Sequence, residues 1–252
     1  MKAPVVIWGL GQMGGAFAHA LLYAGHPVHP VTRATDPAEV AAAVPEPALC
    51  LLAVGENDLA DVVPRVPEAW RGRLGLLQNE LLPGVYRGLG IEDPTVAVVW
   101  FEKKKTVPIT PVQSTPIGGP AAALLVSALE GLGVPAHQVQ RDALRDELVK
   151  KNLYILTANA TALSREVAED VTMEQLLRAH RPLVEGVARD ALTIQASLTG
   201  EALPDSLLKE LYETFLADPH HRARGRSAPA RLARALAYAD EQGLDVPALR
   251  AL

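Results

Sequence analysis

"APVVIWGLGQMGGAFAHALLYAG", residues 3–25, decides the fold. Residues 3–9 form an apolar run of strand length, rich in β-branched side chains. Three glycines follow in "GLGQMG" (9–14), and then an apolar-rich, proline-free stretch that reads as a helix. Strand, glycine turn and helix, in that order, are the setting in which G-x-G-x-x-G signals a dinucleotide-binding turn. Gly9 allows the tight turn, Gly11 lets the backbone approach a pyrophosphate, and Gly14 lets helix and strand pack closely. The helix N-terminus adds free N–H groups and partial positive charge. Gly9, Leu10, Gly11, Gln12, Met13 and Gly14 are therefore the expected cofactor-binding residues.

The rhythm continues beyond this unit. Strand-like runs at 26–32, 48–54, 74–79 and 95–102 alternate with helical stretches such as 37–44 and 57–66. Apolar strands alternating with helices imply a parallel sheet covered on both faces. After a helix at 121–133 and a short strand at 137–140, everything reads as helix: 142–168, 172–199, 204–217 and 228–242. The expected fold is thus α/β, with an N-terminal Rossmann dinucleotide-binding domain (1–139) and a C-terminal all-helical domain (140–252).

Composition narrows the function. The chain has 252 residues, 49% of them hydrophobic, enough for a full core. No apolar run reaches the roughly 18 residues of a membrane span, and no signal peptide is expected. A net charge of −5 gives no reason to expect nucleic acid. The single cysteine, Cys50, lies in the apolar run "ALCLLAV" and excludes an intrachain disulfide; a cytoplasmic location is expected. The adjacent His220 and His221 are poor metal geometry, so no metal site is expected.

An acidic residue about 20 positions beyond the glycines would favour NAD by binding the ribose 2′-hydroxyl. The end of the second strand here reads "VTRATD". Arg33 is placed to fork onto a 2′-phosphate, whereas Asp36, followed by Pro37, reads as a helix cap. NADP(H) is the expected cofactor. Asn79, in "LLQNE" (76–80) at a strand's carboxyl end, is a candidate to hydrogen-bond a nicotinamide or substrate; the plain alternative is a turn asparagine.

The helix containing "LVKKNLYILTANATAL" (148–163) opens the second domain. At about 100° per residue, Ile155 and Asn159 fall within about 80° of Lys151, and Lys150 falls at about 260°. Lys151 and Asn159 thus share a stripe with apolar residues, and Lys150 points away. The plain reading is a lysine stem on apolar surface with its head in water; the functional one aims Lys151 into an interdomain cleft, where pockets are favoured. Asn152 reads as a solvated amide.

Taken together, the glycine turn, Arg33, the "LQN" tripeptide and a lysine opening a helical domain resemble the ketopantoate reductases. Lys151 and Asn159 keep that family's eight-residue spacing, and the likeness extends to "LVEGVARDALTIQASLTG" (183–200) and faintly to "EQGLDVPALRAL" (241–252). The resemblance implies an NADPH-dependent reductase of a small 2-keto acid. Lys151 would be the catalytic residue, Asn159 would orient it or hold a substrate hydroxyl, a homodimer is admitted, and pantothenate biosynthesis is a role the likeness would allow. Departures fall mainly on the substrate side. Ile155 stands where the family has a middle asparagine, Gly55 where it has a lysine, and Glu80 where "LQN" is followed by glycine. "DPHHRARGRSAPARL" (218–232) offers only Ser227 near the position of a substrate-binding glutamate. Ketopantoate is therefore not expected to be the best substrate. Lys103–Lys105 reads as an exposed turn, with guidance of an anionic ligand as the alternative, and the arginines of 220–226 as surface charge or a carboxylate clamp. Two other functions stay open: a β-hydroxyacid dehydrogenase-like enzyme, whose opening "GLGQMG" also resembles but whose lysine wants an asparagine at 155, and a non-catalytic NADP-binding regulatory protein.

Overall fold

A computed structural model describes residues 2–252. The elements in chain order are β1 (Val5–Trp8), α1 (Gln12–Tyr23), β2 (Val28–Val31), α2 (Pro37–Ala43), β3 (Leu49–Leu52), α3 (Glu56–Val62), α4 (Glu68–Arg71), β4 (Leu74–Leu76) and α5 (Pro83–Gly88). They continue with β5 (Thr95–Ala97), β6 (Phe101–Glu102), β7 (Thr110–Pro111), β8 (Thr115–Gly118), α6 (Ala122–Gly131), β9 (Ala136–Gln138) and α7 (Arg141–Thr161). Five helices complete the chain: α8 (Met173–Ala179), α9 (Arg181–Thr199), α10 (Ser206–Ala217), α11 (Ala228–Gln242) and α12 (Pro247–Arg250). The chain divides into two compact units, one ending at Leu148 and the other spanning Val149–Leu252. The division falls inside α7, whereas the sequence places the boundary just before it, at 139/140.

The first unit is a Rossmann-type α/β domain. Its sheet has the order β2-β1-β3-β4-β5-β8-β9. β1, β3 and their neighbours β2 and β4 run parallel, and Trp8 lies in register with Val31 on one side and Leu52 on the other. Three strand ends therefore lie side by side, and the loops that leave them share one edge. Every residue of β1 and β3 is buried, because helices cover the sheet on both faces. On one face α1 and α6 press Phe17, Leu21, Leu125 and Leu129 against Val5, Ile7, Leu49 and Leu51. Each such side chain contributes about 1.5–3 kcal/mol by leaving water.

The expected all-parallel sheet is corrected at one edge. β8 runs antiparallel to β5, and β9 then runs parallel to β8. The stretch 95–102 is also two strands rather than one: β5 stays in the sheet, while β6 pairs with β7 in a separate hairpin. A hairpin returns the chain antiparallel, where a helical crossover would have kept it parallel. Pro108, Pro111 and Pro116 hide β7 and β8 from a reading of alternation.

The second unit is all-helical. α9 is its central helix, touching α8, α10, α11 and α12. It buries Val184, Val187, Ala188, Ala191 and Ile194, which recur at helical spacing along one face. The expected helix 172–199 is two helices. Thr172 and Gln175 form a capping box at the start of α8, and Pro182 in the first turn of α9 cannot donate back to the preceding helix. The helix expected over 142–168 stops at Thr161. Near the C-terminus the Asp190 carboxylate accepts the Leu249 N–H at 2.9 Å and anchors α12 to α9.

Candidate functional site

Just past the aligned ends of β1, β2 and β3 lies a crevice of about 720 Å³. Gly9, Leu10 and Gly11 line it, with Thr32–Ala34, Ala53–Gly55, and Asp58, Asp61 and Arg65 from the region of α3. The three glycines differ in what they permit. Gly9 has φ +95°, and a Cβ there would stand 2.7 Å from the Ala53 carbonyl oxygen. A Cβ on Gly14 would stand 1.9 Å from the Gly9 carbonyl oxygen, so α1 packs directly on the turn. A Cβ on Gly11 would meet nothing within 4 Å, so this backbone faces open space. Gly11 is also the N-cap of α1, with no side-chain cap and no acidic residue in the first turn. The first-turn N–H groups are left for an anion. This cradle fits a dinucleotide pyrophosphate, with Gly9 and Gly11 at the crevice wall. Gln12 is exposed at the helix start, and Met13 is half-buried against the core.

Arg33 lines the same crevice from a loop stiffened by its neighbours. Thr32 and Thr35 join through their hydroxyls at 2.9 Å, and Asp36 accepts the Ala38 N–H at 2.9 Å as the N-cap of α2, with Pro37 in the first turn. Across the crevice the Arg65 guanidinium lies 5.9 Å from the ring centre of Trp8. Neither Trp8 nor Arg65 is marked by the sequence. Arg65 follows Asp61 by four residues, the spacing of an ordinary helical ion pair, which conceals it.

In "LQN" the buried partner is Gln78. Its Oε1 accepts the Leu77 N–H, and its Nε2 donates to the Leu52 and Val54 carbonyls at 3.1 and 3.2 Å. It thereby ties the end of β4 to the end of β3. Glu56 adds a second tie by accepting the Glu80 N–H at 2.7 Å. Asn79 is half-buried beside these ties and does not line the crevice.

On α7 the two lysines separate as the helical geometry implies. Lys151 is 7% exposed, and its Nζ lies 5.3 Å from the ring centre of Tyr154, which meets Phe215 edge-on at 5.5 Å. Lys150 instead forms an ion pair with Glu210 at 3.0 Å. Asn152 is buried, at 4% exposure, which corrects its reading as a solvated amide. Between Lys151 and Ala162 only Ile155 is not buried. Asn159 is held at both ends of its amide: Nδ2 donates to the Ala223 carbonyl at 2.7 Å, and Oδ1 accepts from Arg231, which also donates to Ser227. Gly225 packs against the same amide, where a Cβ would stand 3.1 Å from Oδ1. Arg231, 4% exposed on α11, is a site neighbour that a run of charged helical residues conceals.

The remaining candidates make local contacts or lie exposed. Lys103 folds back to donate to the Lys104 and Val107 carbonyls, closing the β6–β7 hairpin. Arg224 pairs with Glu169 at 3.1 Å, while Arg222 and Arg226 are exposed. His221 faces Asp218 at 3.5 Å, and among the described residues no three His, Cys, Asp or Glu side chains gather as a metal ion would require. Cys50 is fully buried, which pushes its thiol up to about 12. Among the described residues no helix is long and apolar enough to cross a membrane.

The arrangement defines a two-domain fold, a Rossmann-type sheet followed by a helical domain, and that is the fold of the ketopantoate reductases. The enzyme of that name from Ralstonia eutropha JMP134 is 20% identical to this chain, covering 98% of it and 95% of the enzyme, with a TM-score of 0.70. A dimeric ketopantoate reductase from Staphylococcus aureus is 16% identical over 98% of this chain and 96% of its own, with a TM-score of 0.68. A D-mandelate dehydrogenase solved with NADH is 13% identical over 98% and 95%, with a TM-score of 0.70. No protein-family model matches the chain. No curated protein matches it by sequence either.

Proposed function

We propose that the chain is a divergent member of the ketopantoate reductase family, an NADPH-dependent reductase of a small 2-keto acid, in which Lys151 serves the substrate and Asn159 orients the helix that carries it. The observation that carries this reading is the open glycine turn: Gly11 faces free space at an uncapped helix N-terminus, in a crevice that Arg33 also lines. When bound, the reduced nicotinamide supplies a hydride to the substrate's carbonyl carbon. The chain's own part is to bind, orient and protonate. Gly9 and Gly11 cradle the pyrophosphate, Arg33 reads the 2′-phosphate, and Asn79 offers its amide to the nicotinamide or the substrate. Lys151 stabilises the negative charge that grows on the carbonyl oxygen and delivers the proton, so that the product is the 2-hydroxy acid. The Tyr154 ring holds its ammonium in place, an interaction of about 0.5–2 kcal/mol. Asn159 fixes the 223–225 loop and Arg231 against α7.

The substrate we propose is a 2-keto acid with a more apolar tail than ketopantoate. Ile155 lies on the Lys151 side of α7 and keeps part of its surface open, where the resemblance would place an asparagine. Each lost hydrogen-bonding partner costs about 1–3 kcal/mol of discrimination. Mandelate, named in one neighbour of the same fold, is a 2-hydroxy acid with a phenyl group, which supports this choice. Cytosolic action accords with one buried free thiol, and a homodimer accords with the Staphylococcus aureus enzyme.

The test is a panel of 2-keto acids, ketopantoate and benzoylformate included, with NADPH oxidation followed by absorbance. The expected outcome is turnover that is fastest for an acid with an apolar tail. A kcat/KM for ketopantoate above about 10⁴ M⁻¹s⁻¹, an ordinary enzyme value, and above that of every other acid would overturn the substrate assignment. Tight NADPH binding without oxidation by any acid would favour a binding protein over an enzyme.

A further inference from the structure

Two arginines line the crevice, Arg33 after β2 and Arg65 beyond α3, together with two aspartates, Asp58 and Asp61. With Arg33 alone the formal charge of these residues would be −1, which would oppose a phosphate dianion; Arg65 restores neutrality. Its setting is unusual for a surface arginine. Asp61 precedes it by four residues, yet among the described residues the two form no ion pair within 4 Å. The Arg65 guanidinium lies over Trp8 instead, at 5.9 Å. Its backbone is fixed in a turn (Val63–Arg65) in which the Val66 N–H reaches the Val63 carbonyl at 3.2 Å, and both valines are buried. A guanidinium within about 6 Å of an indole centre is drawn to the ring without spending its N–H edge, which stays available to a bidentate acceptor. Asp58 does not compete for that edge, because its carboxylate folds back on Gly55 in the first turn of α3, 3.2 Å from where a Cβ would stand, and a helix N-terminus stabilises it there.

We propose that Arg65 is a second recognition residue for the ribose 2′-phosphate, acting with Arg33 and held in place by Trp8. The proposal rests on the NADPH reading above and deepens it: the preference for the phosphorylated cofactor belongs to two guanidinium groups rather than one. Adenine stacking alone would leave Arg65 indifferent to the phosphate.

Binding is the measurement, made on the full chain with NADPH, NADH, 2′,5′-ADP and 5′-ADP by calorimetric titration. Arg65→Gln is expected to weaken NADPH and 2′,5′-ADP about tenfold, roughly 1.4 kcal/mol, and to leave NADH and 5′-ADP within about twofold. Arg65→Lys, which keeps the charge but loses the fork, is expected to fall between. Melting temperatures of both variants check that the exposed substitution leaves the fold intact. Equal weakening of all four ligands would overturn the proposal in favour of adenine stacking. No change in any ligand would overturn it in favour of packing on Trp8. If wild type prefers NADPH and Arg33→Ala alone abolishes the preference, the Arg65 assignment fails while the NADPH reading stands. If wild type binds neither nucleotide, or prefers NADH, both fall.

Discussion

At the glycine turn one methyl group would collide with backbone: a Cβ on Gly14 would stand 1.9 Å from the Gly9 oxygen. On α7 the decisive feature is a rotation, because Lys151 is buried against Tyr154 while its neighbour Lys150 reaches Glu210 at the surface. The first region is specified by backbone sterics and tolerates almost nothing at its fixed positions. The second is specified by which side chains a helix turns inward, and a helix accepts many residues at each place. That difference explains why the glycine turn retains a recognisable motif while the helical domain departs from the pattern it resembles.

The comparison can be broken from either side. The largest effect expected is at the turn. Gly14→Ala should cost about 1–3 kcal/mol of stability through overpacking, and by opening the cradle should weaken NADPH roughly 100-fold, about 2.7 kcal/mol; thermal melts and nucleotide titration check both. Normal binding by this variant would mean that the close approach of α1 does not hold the turn. Nearly as large, Lys151→Ala should lower kcat by about 100-fold with the NADPH affinity kept. Lys150→Ala removes only a half-exposed ion pair worth about 0–1 kcal/mol, and steady-state rates should hardly change. A reversal of the two lysines would place the inward face of α7 elsewhere. Arg33→Ala should weaken NADPH about tenfold, roughly 1.4 kcal/mol, and narrow its preference over NADH without abolishing it, because Arg65 remains; paired titrations read both.

The smallest effect lies away from both regions, at the joint between α9 and α12. Burial raises the Asp190 carboxyl above its ordinary value, with a smaller upward push from Asp245, while hydrogen bonds from the Leu249 and Ala248 backbones pull it down. The folded protein therefore holds this proton more tightly than the unfolded chain. Stability supplied by the neutral acid is present below the unfolded carboxyl's pKa and is lost as the pH rises through the folded one. Asp190→Asn keeps an acceptor for the Leu249 N–H and should flatten that slope, with a net change below about 1 kcal/mol, the size of one neutral hydrogen bond. Melting temperatures across the acid range test this, and an unchanged slope would place the titration elsewhere.

What was legible in the sequence follows the same division. Strand, turn and helix around Gly9–Gly14 could be read because Gly9 and Gly14 leave no room for a Cβ, and Asp36 could be read as a cap because Pro37 follows it. Helical rotation put Lys151 and Lys150 on different sides of α7, while the burial of Lys151 was one of two readings that the residues left open. The antiparallel strand β8 was not legible, since Pro116 interrupts its alternation and a hairpin, β6–β7, replaces the helical crossover between β5 and β8. Gln78, Arg65 and Arg231 were missed for one reason: each acts through tertiary contacts, to the β3 carbonyls, to Trp8 and to Asn159, that no local spacing announces. "LQN" drew the eye to Asn79, and the structural tie is made by the residue before it.

The most direct test of the central claim, that a glycine-cradled NADPH is used by a lysine of α7, is a single turnover. Protein loaded with one equivalent of NADPH is mixed with the preferred 2-keto acid, and the loss of cofactor fluorescence is followed in wild type and in Lys151→Ala. The account predicts stoichiometric loss in wild type and a rate about 100-fold slower in the variant at equal NADPH affinity. Unchanged fluorescence with every acid in wild type, or equal rates in the two proteins, would contradict it.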